Sequence, residues 1–154
     1  MGKVSDRESR VILGKLCKVV PAFYLLLYIC SGIFIMGYDL PYDGTLPFEH
    51  KTFGKACDLG RAALATQVLG LLLLPVVLAL LVRSASLAWD YVLTLLLLHL
   101  ALTCLVTLSW PSNWRWWVSV CCLGLYAVFA SEAMSYVVEA RRSAKVADAV
   151  NGPA

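Results

Sequence analysis

Three ionisable side chains fall inside long apolar runs of this chain: Asp90, His99 and Glu132. An ionised acid at the centre of a membrane-spanning helix costs about 3 kcal/mol on insertion scales, so each residue needs a partner or a function. Together the three types could pass a proton. Asp90 lies in the first turn of its run, about 4.5 Å inside Leu87, where a helix dipole favours an acid and Arg83 is in reach. An interfacial anchor is expected there. His99 lies deeper, about 18 Å from the same end and near the midplane. Nine residues separate the two, so at about 100° each they point to opposite sides of one helix and form no Asp–His dyad. A neutral imidazole, hydrogen-bonded to a neighbouring helix, is the expectation for His99. Gln67 sits about 22 Å from the corresponding end of its own run and is the expected partner, with Thr94 a further structural polar group. Glu132, about 9 Å inside its run, is expected to face the interior and either pair or hold its proton.

Other chemistry has little support in the sequence. There is no Ser–His–acid arrangement, no HExxH, no GxGxxG and no phosphate loop, so no enzyme class and no cofactor is indicated. Two histidines, one beside Glu49 at His50, and no CxxC pair make a metal site unexpected. The net charge of +3 is not the footprint of a nucleic-acid binder.

These residues must be positioned by membrane helices. The 154 residues are 60% hydrophobic and 15% charged, whereas soluble domains are about a quarter charged. A spanning helix needs about 20 mainly apolar residues. Four windows qualify: Val19–Tyr38, Ala62–Val82, Leu87–Ser109 and Trp116–Val138. They predict one all-α, polytopic domain covering residues 1–154, a four-helix transmembrane bundle in contact with lipid. The first run exceeds a signal-peptide core and lacks a convincing cleavage site, so it is expected to stay as a helix. Nine of the 13 Lys and Arg residues fall in the two tails and the Arg83 turn, and only Lys51, Lys55, Arg61 and Arg115 fall on the other side. By the positive-inside rule both termini are expected in the cytosol.

Five further features bear on packing and anchoring. Ala62, Thr66 and Gly70, and likewise Ala127, Ser131 and Ser135, form small-residue stripes that permit close helix approach. Pro75 is expected to kink its helix. The segment Asp39–Gly60, broken by prolines and glycines, reads as a polar connection without regular structure. Trp110, Trp114, Trp116 and Trp117 surround a tight turn at Pro111 and are expected as interfacial anchors. The cysteines do not suggest a disulfide framework. Cys17 stands where S-palmitoylation occurs, although an unmodified thiol is the ordinary state.

The set Asp90, Thr94, His99, Pro111, Trp116–Trp117 and Glu132, at these separations, resembles the Sys family of four-span Golgi membrane proteins. The likeness is most specific over the last two runs, and "PFEHKT" and "WDY" extend it. It implies a non-enzymatic role in vesicle and protein trafficking at the trans-Golgi membrane, as a receptor that recruits an Arf-like small GTPase. On that resemblance Glu132, Asp90 and Arg83 are the partner-binding candidates. The competing expectation is a small proton-linked carrier or intramembrane enzyme built on Asp90, His99 and Glu132.

Overall fold

The computed structural model describes residues 2–82 and 88–151. Four helices run through it: α1 (Gly2–Gly37), α2 (Asp58–Leu81), α3 (Ala88–Thr107) and α4 (Trp114–Asn151). A short 3-10 helix, Leu46–Phe48, interrupts the connection between α1 and α2. Each long helix contains a stretch able to cross a bilayer: Ile12–Gly37, Asp58–Leu81, Trp89–Thr107 and Trp114–Arg141. In hydrocarbon every backbone N–H and C=O needs an internal partner, and a helix provides it within one segment. The protein is an all-α, polytopic membrane bundle. Four crossings return the chain to its starting side. The start of α1, the end of α2, the start of α3 and the end of α4 therefore share one end, the tail end. Residues 38–57 and the turn 108–113 share the other, the loop end.

Helix α2 packs along both α1 and α4, and α3 packs along α4. The predicted small-residue stripes make these contacts possible. Ala62, Thr66 and Gly70 are buried on α2, as are Ala127, Ser131 and Ser135 on α4. A Cβ at Gly70 would run into the Leu27 side chain of α1. A core of Val19, Phe23, Leu27, Leu74, Leu78 and Leu95 fills the tail half of the bundle. A second core of Ile35, Leu46, Phe53, Ala63, Trp116 and Val120 fills the loop half. Helix α2 runs without interruption through Pro75, and α1 through Pro21.

The helix ends follow from local chemistry. Asp39 takes the left-handed conformation (φ 52°), and the Leu40 N–H reaches back to the Ile35 carbonyl at 3.0 Å, closing α1. Cys57 caps α2 by accepting from the Gly60 N–H at 3.4 Å. Asn113 caps α4 through its Oδ1, which accepts from the Arg115 N–H at 3.1 Å.

Candidate functional site

The segment Asp39–Gly60 is not an unstructured polar connection. Leu46, Pro47, Phe48, His50 and Phe53 are all buried, so the segment folds inward as a cap on the loop end. Its start is shaped by Asp43, whose Oδ1 accepts from both the N–H and the hydroxyl of Thr45 at 2.8 Å. The Leu46–Phe48 helix then packs against α1, α2 and α3.

Helix α4 holds the cap in place. Asn113 Nδ2 donates to the carbonyls of His50 at 3.2 Å and Phe53 at 2.8 Å, while its Oδ1 caps the helix. Arg115 donates to the Gly54 carbonyl. Gly54 is left-handed (φ +67°), and the Arg115 side chain lies 3.3 Å from where its Cβ would be. His50 Nε2 and Ser109 Oγ meet at 3.3 Å. This serine–histidine pair does not form a catalytic set. His50 is 1% exposed and its Nδ1 has no partner among the described residues.

Beneath the cap, His99 stands among aromatic rings from three other elements. Phe48 stacks on it with centroids 5.6 Å apart, and Trp116 stacks at 6.5 Å. Phe23 and Tyr24 of α1 approach to 6.2 Å, and Tyr24 also stacks on Phe48 at 6.0 Å. The rings fill the seam between α1 and α3, where the two backbones do not pack closely.

This environment corrects the expected Gln67–His99 hydrogen bond. Gln67 Nε2 and His99 Nδ1 are both buried without a hydrogen-bond partner among the described residues. The cause is the order of helices around the bundle. Gln67 belongs to α2, which packs on α1 and α4, whereas the His99 ring contacts α1, α4 and the cap. Trp116 also departs from expectation. It is 1% exposed and part of the core, not an interfacial anchor. Trp117 is partly buried and donates its Nε1–H to the Pro111 carbonyl at 2.8 Å, which clamps the turn. Trp110 and Trp114 are exposed at the loop end.

Asp90 and Glu132 are half-buried toward the tail end, and Thr94 Oγ1 donates to the Asp90 carbonyl at 2.8 Å. Glu132 is half-buried beside the buried Ser131, and no hydrogen bond or ion pair reaches it among the described residues. Arg83 lies outside the described residues. The three ionisable groups do not converge. His99 packs on Trp116, and Glu132 lies sixteen residues farther along α4, about 24 Å away along the axis.

The sequence reading missed Asn113, His50 and the cap. Asn113 had a recognisable signal, an N-cap residue directly before an apolar run. All six cysteines are free thiols, and Cys121 and Cys122 face outward instead of packing inside.

Comparison with known proteins places these features in context. The profile of the SYS1 family, described as integral membrane protein S linking to the trans Golgi network, matches residues 3–144. The putative transmembrane protein 244 of Homo sapiens is 27% identical over 125 residues, which cover 77% of this chain and 92% of that protein. No solved structure matches the chain.

Proposed function

Because the chain belongs to the SYS1 family of Golgi integral membrane proteins, we propose that it is a non-enzymatic receptor or adaptor for an Arf-like small GTPase in membrane trafficking. The observation that carries this reading is that both terminal helices continue past their apolar runs into basic sequence at one end of the bundle. Helix α1 begins at Gly2 and carries Lys3, Arg7, Arg10, Lys15 and Lys18 before its apolar run, and α4 continues through Arg141, Arg142 and Lys145 to Asn151. The charge asymmetry supports a cytosolic placement of this end, where a GTPase would be met. Asp90 and Glu132 lie toward the same end, and together with Arg83, which is outside the described residues, they are the residues proposed to shape the docking groove. The loop end is closed by the chain's own cap, so a macromolecular partner has less surface there.

Rescue of cells lacking the protein tests this, with imaging of the GTPase at the Golgi. Glu132→Ala should abolish recruitment while insertion and Golgi location persist. Asp90→Ala should have a smaller effect, since its position near the interface gives it water as an alternative partner. A chain ending at Arg141 should also fail to recruit. Undiminished recruitment by all three would overturn the proposal.

A further inference from the structure

Between the cap and the start of α4 lies a cavity of about 390 Å³ whose lining includes Lys51, Lys55, Ser112, Asn113, Trp114 and Arg115. Three cations converge on it, and the lining contains no carboxylate. The only ion pair among the described residues joins Arg61 to Asp58, so Lys51, Lys55 and Arg115 have no acidic partner there. Like charges held together are unfavourable without a counter-charge. The convergence is nevertheless built into the fold. The two Asn113 bonds to the His50 and Phe53 carbonyls and the Arg115 bond to Gly54 fasten residues 50–55 onto the turn before α4.

The depth of the cavity identifies the ligand chemistry. Trp114 and Arg115 line it and are also the first residues of the α4 span. Trp114 is 68% exposed and Trp110 is 65% exposed, as suits indoles resting among lipid headgroups. The Ser112 hydroxyl adds a neutral hydrogen-bonding group beside the cations. We infer that this cavity binds the phosphate or sulfate headgroup of an anionic membrane lipid, whose acyl chains continue into the adjacent leaflet past α4. A lipid, not a free anion, is the proposed source, because the exposed Trp110 and Trp114 indoles beside the site suit the headgroup region. The inference is independent of the GTPase reading, which concerns the opposite end of the bundle.

The test uses the purified full chain in phosphatidylcholine nanodiscs containing either phosphatidylinositol or sulfatide, with bound lipid counted by native mass spectrometry. At least one anionic lipid should be retained over phosphatidylcholine. The double substitution Lys51→Gln and Lys55→Gln removes two cations with no hydrogen bonds to the fold among the described residues. Each cation near an anionic headgroup changes binding roughly fivefold, so affinity should fall roughly 25-fold with an unchanged melting temperature. Arg115→Lys keeps the charge and should bind more tightly than Arg115→Gln. Equal retention of phosphatidylcholine, or full binding by the double variant, would overturn the inference. Equal protection by inorganic phosphate without lipid preference would also overturn it, since that marks a free-anion site.

Discussion

Phe48→Ala is the most informative perturbation of the cap. The Phe48 ring is 5% exposed and stacks on both His99 and Tyr24. Each aromatic pair contributes about 0.5–1.5 kcal/mol beyond burial, so the two pairs account for about 1–3 kcal/mol. The cavity left by truncation brings the expected total to about 3–5 kcal/mol. Phe48→Leu refills most of the volume without the rings and should lose only the smaller share. Tyr42, 83% exposed in the same segment, provides the control, and Tyr42→Ala should stay within about 0.5 kcal/mol of the parent. Reversible unfolding of the purified chain in mixed micelles gives all three values. A Phe48→Ala chain as stable as Tyr42→Ala would refute the view that the segment is an integral part of the core.

Five other expectations use the same measurement or simpler ones. Gly70→Ala should destabilise by about 1–3 kcal/mol, because its Cβ meets Leu27, which is 1% exposed and has no room to withdraw. Gly32→Ala, with open space around the new methyl, should instead stabilise α1 by about 0.5–1 kcal/mol; a loss there would contradict the assigned packing. His99→Phe keeps a ring in the aromatic seam and removes the unpaired Nδ1, so it should be at least as stable as the parent, with a gain of up to about 1–3 kcal/mol. Leu108 is left-handed (φ 47°) and 87% exposed, so Leu108→Asn should relieve part of a strain of about 1–2 kcal/mol, read as a raised melting temperature. Finally, tags at both termini should be reached by antibody after selective permeabilisation of the plasma membrane, and a protected tag would reverse the assigned orientation.

The membrane character of the fold was legible because it depends on run length and charge, both linear properties. Ala62, Thr66 and Gly70 likewise announced a packed stripe through their spacing alone. Which helices would be neighbours was not legible. Gln67 and His99 match in depth, yet hydropathy does not encode the order of helices around a bundle, so the expected bond has no geometric basis. Trp116 and Trp114 are two residues apart, with opposite fates: one is core and the other exposed. Both suit an aromatic belt by composition, and only the helix rotation separates them. The cap was obscured by its prolines and glycines, which mark turns but do not reveal whether the residues between them are buried.

The cap also constrains the order in which the molecule can be assembled. Its contacts join residues far apart in the chain: His50 to Ser109, and Asn113 to both His50 and Phe53. When α1 and α2 have entered the membrane, Phe48 and His50 still lack the groups that will enclose them, because His99, Ser109 and Asn113 have yet to arrive. The segment can rest on α1 and α2 at that stage but is not enclosed until the second helical hairpin inserts. Its closure reports on whether α3 and α4 are correctly in place. A nascent chain stalled after α2 would present Phe48 and Phe53, and their apolar surface would identify it to quality control as incomplete.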